Sequence, residues 1–128
     1  MKYLFDAFAW IAYLEGGSAG EKVNKILQED NEIYTLSITV AEVVSKTKRM
    51  KRDAEAAYLA IISNSTIIDA PPKISKEAGL LHAQIREKIK NFGIVDTLIA
   101  VTAKSISAKI LTGDEHFKNF KEAIFINK

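Results

Sequence analysis

The chain has 128 residues, 48% of them hydrophobic and 27% charged, which fits a single globular domain over residues 1–128 with no room for a second. Cysteine is absent, so thiolate nucleophiles, cysteine-based zinc sites and a disulfide framework are excluded. The 18 Lys+Arg against 16 Asp+Glu leave a net charge of +2, too balanced to indicate a polyanionic partner by itself, so any such partner has to be argued locally.

Short apolar runs alternate with longer helical stretches, the pattern of an α/β fold on a mainly parallel sheet. Tyr3-Leu4-Phe5 reads as a buried strand closed by Asp6. That charge comes too early for a signal-peptide apolar region, and no 18-residue uncharged apolar run follows, so a cytoplasmic protein is expected. Ala7 to Leu14 is helix-compatible. Gly16-Gly17-Ser18 breaks it, with Ser18 the expected N-cap of a helix ending near Glu29 that carries Val23, Ile26 and Leu27 on one face. Ile33 to Leu36 is the second strand. Thr39 and Glu42 then form a Thr-x-x-Glu capping-box pattern for a helix reaching about Met50.

Asp53 to about Ile62 is a further helix, and Thr66-Ile67-Ile68 a strand stopped by Asp69-Ala70-Pro71-Pro72. Ser75 to Lys90 carries Ala78, Leu81, Ile85 and Ile89 near the helical period. After Asn91-Phe92-Gly93, Asp96 to Ile106 is a more enclosed helix, with Leu98, Ile99, Val101 and Ile106 on more than one face. Lys109 to Thr112 is a strand, Gly113-Asp114 turns the chain, and Ala123 to Ile126 is the last strand. No repeat, linker or low-complexity tract interrupts this order.

Ligands of open parallel sheets bind beyond the carboxyl ends of the strands. Asp6, Glu42, Asp96 and Asp114 all fall where the topology can carry them to that rim. Each also has a structural reading: Asp6 as an N-cap, Glu42 as the distal member of the capping box, Asp96 as a first-turn acid favoured by the helix dipole, Asp114 as a turn or cap residue. Together, four carboxylates on one rim would repel one another, a cost that a divalent cation removes. A carboxylate site suits Mg²⁺ or Mn²⁺. Only His82 and His116 offer imidazole. His82 reads as a boundary residue of an amphipathic helix, and His116, two residues after Asp114, as a loop histidine with the option of lining the site.

These residues resemble the PIN-domain ribonucleases, and within them the small VapC-type toxins of toxin–antitoxin pairs. The resemblance runs from Tyr3-Leu4-Phe5-Asp6 through Thr39-Val40-Ala41-Glu42 and Val95-Asp96-Thr97-Leu98-Ile99-Ala100 to Leu111-Thr112-Gly113-Asp114-Glu115-His116-Phe117. It implies a three-layer PIN-like fold with a five-stranded sheet of order 3-2-1-4-5. By similarity Asp6, Glu42, Asp96 and Asp114 are the catalytic acids and the ligands of Mg²⁺ or Mn²⁺, and Thr112 supports them. Two departures stand out: Ala7 where the family usually has Ser or Thr, and His116 where some members have a further Asp. The implied order puts the strand ending at Ile68 on the sheet edge, which leaves Asp69 outside the site.

The expected activity is metal-dependent endonucleolytic hydrolysis of RNA, with Asp6, Asp96 and Asp114 as ligands and Glu42 as a ligand or water-orienting base. Lys46, Lys48, Arg49, Lys51 and Arg52 are candidate RNA contacts. Glu42, Ser45, Lys46 and Arg49 lie at i, i+3, i+4 and i+7, one polar stripe leading away from the acids. The structural alternative is an i,i+4 Glu42–Lys46 pair with cations that favour a helix C-terminus. Phe5, Phe8, Trp10 and Tyr13 read as core or a subunit contact. The resemblance also implies a homodimer and an antitoxin partner. The competing functional readings are a non-catalytic PIN-like RNA-binding or protein-interaction module, and a PIN nuclease of RNA processing without an antitoxin. Phosphoaspartyl phosphatases, P-loop and dinucleotide folds lose on absent motifs.

Overall fold

The computed structural model describes residues 1–127. Five strands, β1 (Lys2–Phe5), β2 (Glu32–Leu36), β3 (Thr66–Ile68), β4 (Lys109–Thr112) and β5 (Ala123–Phe125), form one all-parallel sheet of order β3-β2-β1-β4-β5. The helices are α1 (Ala7–Glu15), α2 (Gly17–Gln28), α3 (Ser37–Arg49), α4 (Ala54–Asn64), α5 (Pro72–Arg86) and α6 (Ile94–Ser105). The order is the one the resemblance implies, and the chain reverses direction across the sheet between β1 and β4.

Strand alternation sorts the core into two layers. Tyr3, Phe5, Ile33 and Leu111 face a cluster with Ala9, Trp10, Ile11, Val23, Val43, Ala57 and Ile61, so α1 to α4 cover that side. Leu4 and Ile110 face the other way, against Ile99, Ala100 and Ala103 of α6, and α5 packs on α6. Fully burying a side chain the size of Phe5 contributes about 2–3 kcal/mol. Trp10 is completely buried, which is tolerable because its indole N–H has a partner. It donates to Thr35 Oγ at 3.1 Å, Thr35 donates to Ser65 Oγ at 2.9 Å, and Ser65 donates to the Ile61 carbonyl at 2.8 Å.

Several helix ends differ from the sequence expectation. Gly16 and Gly17 both take positive φ, so the chain turns within two residues and α2 starts at Gly17, with Ser18 already inside it. β2 runs straight into α3, which begins at Ser37; Thr39 is buried within that helix and is not its cap. α5 starts at Pro72, whose fixed φ suits the first turn, and stops at Arg86 rather than Lys90. There Glu87 and Lys88 donate to Gln84 and Ile85, three residues back, and the chain tightens into turns. Ile89 consequently stays substantially exposed. α6 starts at Ile94, so Asp96 is its third residue.

Candidate active site

Asp6 follows β1 in extended conformation and caps α1, its Oδ1 accepting the Ala9 N–H at 2.9 Å. Its other oxygen accepts a short hydrogen bond from the Thr112 hydroxyl at the end of β4. The same hydroxyl oxygen accepts the Asp114 N–H at 2.9 Å. Thr112, fully buried, thus ties two acids that are far apart in sequence. Asp114 in turn caps the 3-10 turn Glu115–Phe117, accepting the His116 N–H at 2.9 Å. Asp96 enters from the first turn of α6, and His116 Nδ1 lies 3.3 Å from Asp96 Oδ2 and 3.5 Å from Asp114 Oδ1.

Glu42 faces the same place from the second turn of α3. Because α3 starts at Ser37, Glu42 has no position from which to close a capping box on Thr39. Asp6, Glu42, Asp96 and Asp114 together line a cleft of about 520 Å³, which α3 extends with Ser45, Lys46 and Arg49 and α1 with Ala7, Phe8 and Ile11.

The acids are unfavourably placed for sharing full negative charge. Burial pushes the Asp6 carboxyl up to about 7, with the charges of Asp114 and Asp96 adding to the rise against the hydrogen bonds from Thr112 and Ala9. Glu42 is raised by burial and then by Asp96. Asp96 is raised by burial and by Asp114, partly offset by His116. A divalent cation reverses this cost. The donor set fits one: single ligand atoms of Asp96, Asp114 and His116 all lie within 4.8 Å of each other.

Of the five candidate cations, Lys46 and Arg49 line the cleft, whereas Lys48 and Lys51 do not. Arg52 lines a separate groove with Ile11, Leu14 and Met50. Lys51 adopts positive φ just after α3, and the chain leaves the helical stripe there. His82 is half-buried, its Nε2 2.9 Å from the Phe92 carbonyl oxygen. Asp69 lies at the edge strand and accepts a hydrogen bond from Ser37 at 2.5 Å, outside the acidic cleft. Of the two readings of Phe8, core or a subunit contact, the first is overturned: it is 43% exposed on the cleft wall. Helical geometry holds the signal, since residues two apart point some 200° apart and Trp10 takes the core. Gly113 is the seat of its ring, for a Cβ there would stand 2.0 Å from Phe8 Cε1.

An acidic cleft at the carboxyl ends of a 3-2-1-4-5 parallel sheet is the arrangement of the PIN domain, whose family profile matches residues 3–123; the chain belongs to that family. Within it, the fold is similar to VapC-containing structures. VapBC2 from Rickettsia felis, solved with a promoter DNA fragment, matches at TM-score 0.72 and 25% identity, over 98% of this chain and 97% of that one. VapC20 of Mycobacterium tuberculosis, described as a sarcin-ricin loop cleaving toxin, shares the fold at TM-score 0.73 and 13% identity, over 94% and 97%. VapBC-1 from nontypeable Haemophilus influenzae does so at TM-score 0.71 and 19% identity, over the whole of both chains. No curated protein sequence matches the chain.

Proposed function

We propose that this protein is a divalent-metal-dependent endoribonuclease and the toxin of a type II toxin–antitoxin pair. The single observation that carries the reading is the convergence of Asp6, Glu42, Asp96 and Asp114, from four separate elements, on one cleft that also holds Lys46 and Arg49. Asp6, Asp96 and Asp114, with Glu42 as a further ligand or the water-orienting base, would hold Mg²⁺ or Mn²⁺. Such an ion supplies Lewis-acid polarisation of a phosphodiester and a water-derived nucleophile at neutral pH. Glu42, whose carboxyl is raised by burial and then by Asp96, is suited to orient the attacking water and take its proton. Thr112 fixes the Asp6 carboxylate and the Asp114 backbone in one geometry. Lys46 and Arg49 would hold flanking phosphates, a contact that positions RNA without reading its sequence. With the four acids neutralised by cation, the rest of the chain is clearly basic, so the +2 total is compatible with RNA.

The similarity to VapBC complexes supports an antitoxin partner. A groove lined by Ile11, Leu14, Met50 and Ala57 and rimmed by Glu15, Arg52 and Asp53 suits an amphipathic segment of it. Tyr58, Leu59 and Ile62 are exposed on α4, which supports the expected homodimer. No helix among the described residues is long and apolar enough to cross a membrane. Incubating the purified protein with structured and single-stranded RNA, with Mg²⁺, with Mn²⁺ and with EDTA, tests the reading. Endonucleolytic products that vanish with EDTA and in Glu42→Gln are expected. RNA binding without cleavage would instead establish the non-catalytic module.

A further inference from the structure

The ligand set of this cleft is not purely carboxylate. His116 stands where its Nδ1 is 3.3 Å from Asp96 Oδ2 and 3.5 Å from Asp114 Oδ1. Adjacent donors of an octahedral ion with bonds of about 2.1 Å are about 3.0 Å apart, so both separations are the edges of such a polyhedron opened by a few tenths of an ångström. Without a metal the same nitrogen makes a long hydrogen-bond contact with Asp96 Oδ2 while also facing Asp114 Oδ1, so it stands between two carboxylates.

Its placement is built in twice. Asp114 caps the turn that carries His116, so its carboxylate is fixed against the backbone of that residue. The ring is also backed by buried Phe92, with centroids 5.7 Å apart.

We infer that His116 Nδ1 is a direct metal ligand, which makes the centre a mixed nitrogen and oxygen site selecting Mn²⁺-like ions over Mg²⁺. Imidazole suits the later divalent metals, whereas Mg²⁺ favours oxygen donors and retained waters. The inference rests on the metal-centre reading above and sharpens which ion that centre takes.

The test is spectroscopic and independent of turnover. Mn²⁺ is bound to the full chain labelled with ¹⁵N-histidine, and pulsed electron paramagnetic resonance is used to detect histidine nitrogen coupled to the ion. The chain has only two histidines, and His82 is engaged by the Phe92 carbonyl, so the signal is assignable. A directly coordinated ¹⁵N coupling that survives in His82→Gln and disappears in His116→Asp is expected. The His116→Asp variant should also lower the preference for Mn²⁺ over Mg²⁺ by about tenfold or more, read by calorimetric titration with each metal alone. Mn²⁺ bound by the wild-type chain without nitrogen coupling overturns the inference and leaves the acidic centre standing. Failure of the wild-type chain to bind Mn²⁺ overturns both. The wild-type spectrum decides even if a variant does not fold.

Discussion

Replacing Asp6 by Asn removes the most strongly perturbed acid without removing its shape. In the metal-free protein the Asp6 carboxyl is held at about 7 against an ordinary 3.8, chiefly by burial. The folded state therefore binds this proton more tightly than the unfolded chain. The stabilisation associated with it is complete below about pH 4 and is lost as pH rises to about 7. At about 1.36 kcal/mol per pKa unit, the ionised group costs the folded protein about 4 kcal/mol above that range. Asn avoids this cost, and reversing the Thr112 hydrogen bond forfeits about 1 kcal/mol of it. Urea denaturation in EDTA should then find Asp6→Asn about 3 kcal/mol more stable than wild type at pH 8, with the advantage gone by about pH 4. Asp96 and Asp114 are coupled to Asp6, so the difference reports the loss of the Asp6 charge together with its effect on those two neighbours. A stability difference that does not change with pH would refute the electrostatic account of this position.

Further outcomes follow from single contacts. Thr112→Val keeps the shape but leaves the Asp114 N–H without its acceptor, so stability should fall by about 1–3 kcal/mol in urea titrations, with a loss of any RNA cleavage. Gly113→Ala drives a Cβ into the Phe8 ring and should lower the melting temperature, whereas Phe8→Ala combined with it should recover most of the loss; additive losses would show that the ring is not the obstacle. Removing Lys46 or Arg49 should weaken RNA binding and reduce the salt dependence of affinity by about 0.7 in logarithmic slope each, while Lys51→Ala should leave both unchanged. Trp10→Phe, which removes the hydrogen bond that buried Thr35 Oγ1 accepts, should cost about 1–3 kcal/mol in the same titrations.

What the sequence makes legible here is the chain's punctuation. Tyr3-Leu4-Phe5-Asp6 and Leu111-Thr112-Gly113-Asp114 each show a fully buried strand ending in an acid, and a parallel sheet brings such ends to one rim. Helix existence follows from periodicity in the same way, but helix starts do not. Ser18 and Thr39 have the chemistry of caps, yet Gly16-Gly17 and the direct passage from β2 into α3 complete the turns before those residues are reached. For Asp6 and Asp114 the structural reading and the cleft are compatible: both are helix caps and line the cleft at once, whereas the capping-box reading of Glu42 fails. The basic run is partly legible: helical spacing from Glu42 picks out Lys46 and Arg49, which line the cleft, and leaves Lys48 off that stripe, whereas the left-handed turn at Lys51 that carries the chain away from it has no such signal. The Thr112 bridge between Asp6 and Asp114 spans 106 residues, a distance over which no local pattern operates.

The most direct test of the central claim is to measure Mn²⁺ occupancy and single-turnover RNA cleavage on the same samples across a metal titration, for the wild-type chain and for Asp96→Asn. Cleavage rising in proportion to occupancy, with both weakened in the variant, is the predicted result. Full occupancy with no cleavage of any RNA, or cleavage unchanged when occupancy is abolished, would contradict a metal-dependent nuclease site at these four acids.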